Sequence, residues 1–128
     1  MTEMAIVRKY LAREHYTKID NQVARDKRIS DYSLRLYVFM AGFKNGFQLN
    51  DEYIAKSLDW ARSKVSRAKR DLVASDLIYV EKIDRSTYFL YIGNSRYPAT
   101  MVKDTWHKIE DPNYEMYRQD KLEYKDKE

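Results

Sequence analysis

A chain of 128 residues with 44% apolar and 34% charged side chains is expected to fold as one soluble domain around a modest single core. It has no cysteine, which excludes disulfides, thiolate chemistry and a Cys-ligated zinc site. The formal net charge of +4 is unevenly spread: residues 1–100 carry 18 basic and 12 acidic side chains, and residues 101–128 carry 6 and 8. A basic body with a slightly acidic tail favours a polyanionic partner for the body. No apolar run approaches the roughly 20 residues needed to span a bilayer. The start, Met1 to Arg8, lacks the basic-then-apolar order of a signal peptide. No membrane association and a cytoplasmic location are therefore expected.

In chain order, residues 1–29 form an N-terminal extension. Met4 to Leu11 fits either a short helix or a strand, because its apolar spacing does not choose between them. Tyr16 to Ile19 reads as extended, and Asp20 or Asn21 caps a single turn through Val23 and Ala24. The cluster Arg25, Lys27 and Arg28 reads as a solvated connection, with a supporting phosphate contact as the alternative. Ser30 or Asp31 then caps a helix in which Leu34, Tyr37, Val38 and Ala41 repeat at helical spacing. Leu36, Phe39, Met40 and Phe43 lie off that stripe, so the helix is apolar nearly all round. Such a helix is either buried on several sides or shared with a second subunit. Gly42 and Asn45-Gly46 stop it, Phe47 to Leu49 suffice for a small strand, and Asn50 caps the next helix with Asp51 and Glu52 in its first turn.

Asn50 to Leu72 is predicted to be two short helices joined by a tight turn. At about 100° per residue, Ala61, Val65, Ala68 and Leu72 gather within roughly 60°, an apolar stripe for the core. Ser63, Ser66, Arg67 and Arg70 point the opposite way, with Arg62 and Lys64 on the flanks and Asp71 as a single acid at the edge. A solvated amphipathic helix is the plainer explanation of a polar face. Solvated faces usually mix signs, however, whereas Arg62 to Arg70 holds five basic residues and no acid. The preceding segment places Ile54 and Leu58 for the core, Ala55 at a close crossing and Trp60 in the turn, the internal spacing of a helix-turn-helix. An Arg- and Ser-bearing outward face reaches both phosphates and base edges in a major groove.

After Leu72 the chain turns at Ser75-Asp76. Leu77 to Ile83 and Tyr88 to Ile92 are rich in β-branched and aromatic residues, and Asp84 to Thr87 between them suits a hairpin that ends at Gly93-Asn94. Arg85 at the tip and Lys82 on one arm are candidates for a backbone or minor-groove contact, against an ordinary charged turn. Residues 95–100 read as a linker. Val102, Trp106 and Ile109 stand at helical spacing before Asp111-Pro112, and Tyr114, Tyr117 and Leu122 suit a second short helix.

Nothing here resembles a catalytic or cofactor site. His15 and His107 are the only histidines and stand far apart, and three glycines make no phosphate loop. Tyr10 and Tyr16 are formal candidates for a DNA-cleaving nucleophile, but the histidine pair that such chemistry uses for its metal is missing. No enzyme activity, cofactor or metal is expected.

Leu58 to Leu72 resembles the recognition unit of winged helix-turn-helix proteins such as MarR-like and GntR-like repressors. A longer stretch, from about Tyr16 to Ile92, is similar to the winged-helix domain at the amino end of phage and plasmid replication organisers and initiators of Gram-positive bacteria. Lys18-Ile19-Asp20-Asn21, Arg25 to Ser30, the apolar helix from Leu34, and Leu77-Ile78-Tyr79-Val80 entering the hairpin carry that similarity. Asp59 and Asp76 stand where Gly is usual, at positions that favour a left-handed backbone. The resemblance implies an α+β, mostly α fold: a winged helix-turn-helix of three helices and a β-hairpin wing over residues 30–94, with helical terminal extensions at 1–29 and 95–128.

It also implies sequence-specific binding of double-stranded DNA. Ser63, Ser66 and Arg67 would read bases, and Arg62, Lys64 and Arg70, with Lys82 and Arg85 of the wing, would hold phosphates. Relatives of the replication type continue into a further domain, whereas about 30 residues follow the hairpin here. A small transcriptional regulator of a phage or plasmid is therefore expected ahead of an origin-binding initiator. The rival of another class is an interaction module whose basic helix holds an acidic protein. A homodimer through the helix near Leu34 to Phe43, or through the C-terminal tail, is the remaining partner expectation.

Overall fold

Three side chains set where the first helices begin. Asp20, Ser30 and Asn50 each accept a backbone N–H two or three residues ahead, from Gln22, Ser33 and Tyr53. The computed structural model describes residues 3–9, 19–43 and 45–106. In these, the elements are β1 (Met4–Arg8), α1 (Asn21–Ala24), α2 (Asp31–Ala41), β2 (Gln48–Leu49), α3 (Asp51–Leu58), α4 (Arg62–Ala74), β3 (Ile78–Lys82), β4 (Thr87–Ile92) and α5 (Ala99–Trp106). The fold is α+β, with five helices and a four-stranded mixed sheet in the order β2-β1-β4-β3.

The N-terminal segment corrects the expectation of helical extensions at both ends. Met4–Arg8 is a strand, and it occupies the middle of the sheet. It runs parallel to β4, with Ala5 beside Tyr88 and Val7 beside Leu90, and antiparallel to β2, with Ala5 beside Leu49. Apolar spacing over so short a segment leaves its type open; pairing with a strand some eighty residues away decides it. The β3–β4 hairpin is antiparallel, with Val80 beside Leu90.

The pleat sorts β4 into two cores. Tyr88, Leu90 and Ile92 join Leu36, Met40, Ile54, Val65 and Leu72 of the helices, whereas Tyr91 packs with Val102 and Trp106 of α5. The sheet thus lies between α2, α3 and α4 on one face and α5 on the other. Ile109, Tyr114, Tyr117 and Leu122 fall outside the described residues.

The buried stripe of α2 is displaced from the expected one. Ser33, Leu36, Tyr37, Met40 and Ala41 face inward, whereas Leu34 is only half-buried and Val38 is 40% exposed. A helix apolar on nearly every side carries little directional signal, so neighbouring elements choose its inner face.

Asp59 and Asp76 both adopt left-handed backbone, at φ 57° and φ 59°. Each is followed by a bond that closes the preceding helix: Trp60 N–H donates to the Ala55 carbonyl at 2.8 Å, and Leu77 N–H to the Leu72 carbonyl at 3.0 Å. Aspartate at 76 has a use that glycine would not. Its carboxylate accepts from the Thr100 N–H at 3.0 Å and the Thr100 hydroxyl at 2.8 Å, capping α5. Gly93 answers to space instead: a Cβ there would lie 2.3 Å from the Ala99 nitrogen and 2.6 Å from the Pro98 carbonyl carbon. Residues 94–98 fold back over it through Asn94, whose side-chain oxygen accepts from the Arg96 and Tyr97 N–H groups.

Candidate nucleic-acid interface

α4 is held on three sides. Val65, Ala68 and Leu72 are fully buried along its inner face. On one flank the Lys69 ammonium donates to Asp51 at 3.1 Å and to the Tyr88 hydroxyl at 2.8 Å, tying α4 to the start of α3 and to β4. Burial opposes charge on Lys69, but Tyr88 and Asp51 outweigh it and raise its pKa, so it stays cationic. On the other flank Asp71 accepts from the Ser30 N–H at 3.0 Å and the Ser30 hydroxyl at 3.3 Å. The Ser30 backbone bond, helped by the Ser33 and Ser30 hydroxyls, keeps the Asp71 carboxyl below its usual range. The one acid at the edge of the basic face is therefore already engaged.

The remaining side faces water. Arg62, Ser63, Ser66, Arg67 and Arg70 are all exposed. Among the described residues none of the three arginines forms an ion pair with a carboxylate. Lys64 is half-buried, with its ammonium 4.7 Å from the centre of the Trp60 ring and 5.6 Å from that of Tyr32. Those rings meet edge to face at 6.2 Å, so they brace the turn between α3 and α4 and orient Lys64 beside it. Ala61 gives α4 no side-chain cap.

The hairpin divides the other two candidates. Arg85 is exposed at the tip, which Asp84 orders by accepting the Ser86 N–H at 2.9 Å. That bond holds the Asp84 carboxyl below its ordinary range. Lys82 is engaged: its ammonium pairs with Glu3 and lies 3.4 Å from the Arg85 carbonyl oxygen. Near the N-terminal turn, Arg28 forks onto Asp26 at 2.7 and 2.9 Å and draws the Asp26 carboxyl down to about 2. Arg25 and Lys27 stay exposed.

Lys69 and Tyr88, which position the face, were not legible as such. They stand 19 residues apart, on a helix and a strand whose contact no local spacing announces. Lys69 also belongs to the run of five basic residues, so one of those charges serves the interior rather than the outward face. No cluster of three or more His, Asp or Glu side chains suited to a metal occurs among the described residues. His15, His107, Tyr10 and Tyr16 lie outside them. No helix among the described residues is long and apolar enough to cross a membrane.

The class these observations define is an α+β domain with a helix seated on the core that turns outward serines and arginines without an ion pair among the described residues. Comparison with protein-family models, with curated proteins and with solved structures gave no match.

Proposed function

We propose that the chain binds double-stranded DNA sequence-specifically, with α3, the Asp59-Trp60 turn and α4 acting as a helix-turn-helix and the β3–β4 hairpin as its wing. The observation that carries this reading is the outer face of α4, where Arg62, Arg67 and Arg70 stand exposed without an ion pair among the described residues while both neighbouring ionic groups are committed elsewhere. Buried or internally neutralised arginines would have removed the case for a polyanion. Ser63, Ser66 and Arg67 read base edges in the major groove, and Arg62, Lys64 and Arg70 hold phosphates. Arg85 adds a contact from the hairpin tip. Lys82 contributes less directly, because DNA would have to displace Glu3. A small regulator of a phage or plasmid operon is the role in keeping with the resemblances of Leu58 to Leu72 and of Tyr16 to Ile92.

Selection of bound fragments from random duplex DNA by the purified chain tests the reading. A recovered motif is expected. With four phosphates neutralised, log K should fall against log salt with a slope of about −4. Recovery of no motif, together with equal binding to an acidic protein, would replace DNA by a polyanionic protein partner.

A further inference from the structure

A basic segment that α4 and the hairpin leave unused lies beside the end of α4. Arg25, Asp26, Lys27 and Arg28 line an open groove of about 510 Å³ with Ser75 and Asp76, so they stand at the carboxyl end of that helix. Ser30, two residues on, donates to Asp71 from its N–H and its hydroxyl. Asp26 is close enough to Asp71 to act on its charge. The segment is therefore pinned along the Asp71 side of α4. The hairpin lies along the opposite side, where Lys69 meets Tyr88.

The positive charge of this segment is available. Arg25 and Lys27 are exposed, and among the described residues neither forms an ion pair with a carboxylate. The acids around them are engaged: Asp26 with Arg28, Asp71 with Ser30, and Asp20 with the Gln22 N–H and with Ser95. Asp31 occupies the first turn of α2, where the helix N-terminus offsets its charge. Asp26 also accepts the Arg28 backbone N–H at 2.9 Å, closing a turn with Lys27 at its apex. We infer that Arg25 and Lys27 form a second phosphate-holding site, on the strand along the Asp71 side of α4, while Arg85 of the hairpin serves the other strand. The site rests on α4 lying in the major groove. A helix fills that groove, roughly 12 Å wide, so each of its flanks faces one backbone. Each strand carries one phosphate per about 3.4 Å of duplex axis. From Lys64 to Ser75 the helix advances about 16 Å. A strand following that flank passes several phosphates, and Lys64, at the amino end, meets only the first. Arg25 and Lys27 stand where the strand continues past the end of α4. Such contacts need reach and charge alone, so they carry no base preference.

The test is fluorescence anisotropy of the full chain against a selected and a random duplex, between about 50 and 200 mM salt. Urea midpoints verify folding. Two further contacts should steepen the parent's slope of log K on log salt by about 2 beyond the −4 of α4 and the hairpin tip. Arg25→Ala with Lys27→Ala should return it to about −4, so the parent's advantage over this double variant should shrink roughly tenfold across the salt range. The loss should be equal on the two duplexes, in contrast to Arg67→Ala. Lys103→Ala, which removes a cation from α5 across the sheet, should keep the parent's slope. A folded double variant that keeps the parent's slope would overturn the inference alone, provided that Arg67→Ala still weakens binding. A slope lowered as much per charge by Lys103→Ala would also overturn it, because net charge rather than contact would then be at work. So would a loss confined to the selected duplex, which would make Arg25 and Lys27 readers of bases. A parent that binds neither duplex would overturn the assignment of α4 to DNA, and this site with it.

Discussion

α2 and α4 are helices of similar length, 11 and 13 residues, and both lay an apolar stripe on the same core. Their outward faces differ in kind. α4 shows water three arginines and two serines, and α2 shows Asp31, Arg35 and Val38, with Leu34 half-buried beside them. Inner faces of like chemistry make the fold, whereas the outer faces differ in charge and polarity. A basic face with no acid of its own is complementary to something anionic. The division predicts that changes on the inner faces alter stability alone, whereas changes on the outer face of α4 alter association alone.

The largest effect should come from inside. Leu72 of α4 and Leu36 of α2 are fully buried in one cluster. Truncating either to alanine should cost about 2–5 kcal/mol of unfolding free energy, measured by urea denaturation. A double variant whose loss departs from the sum of the two would establish that they share a core. A Leu72→Ala protein that unfolds like the parent would mean that α4 is not seated as described, and its outward face would lose its definition with it.

Arg67→Ala is the matching change on the outside. Stability should move by no more than about 0.5 kcal/mol, because the side chain is exposed and pairs with no carboxylate among the described residues. Affinity for a selected duplex should fall by roughly 1–3 kcal/mol if the guanidinium is bidentate to guanine, with relaxed preference at that base pair. Anisotropy titrations of the parent and variant against selected and random duplexes separate the outcomes. Identical curves for the two proteins would break the comparison on the α4 side.

Much of this division was legible from residue order, and the exceptions share a cause. The caps at Asp20, Ser30 and Asn50, the left-handed Asp59 and Asp76, and the split of α4 into Val65-Ala68-Leu72 against Ser63-Ser66-Arg67-Arg70 are local matters, decided within one or two turns. What escaped was non-local. β1 takes its identity from β4, Lys82 is engaged by Glu3 at a separation of 79 residues, and Lys69 by Asp51 and Tyr88. The inner stripe of α2 escaped for another reason, since Leu34, Leu36, Val38 and Met40 are alike in polarity and only packing tells them apart. In the sequence alone Asp76 reads as a substitute for glycine. The Thr100 contacts make it the cap of a helix that begins 23 residues later.

The smallest effect concerns the bond that joins the two helices. Asp71 of α4 holds the Ser30 N–H and hydroxyl at the cap of α2. Its pKa is lowered in the folded chain, so its contribution is complete above the unfolded carboxylate range near 4 and is lost as pH falls through the lowered folded value. Asp71→Asn keeps an acceptor but removes the charge. At neutral pH it should cost roughly 0.5–1 kcal/mol, below the usual figure for a charged acceptor because the carboxylate is only part-buried. Urea midpoints of the parent and variant should converge between pH 7 and pH 3, since acid removes from the parent what the substitution removes from the variant. Asp84 is also held below its usual range, but it does not act on Asp71 and cancels in the difference. A gap that stayed constant with pH would mean that the Asp71 charge contributes nothing and that shape alone joins the helices. DNA affinity should hardly change, because an acid already committed to Ser30 is not what the outward face presents.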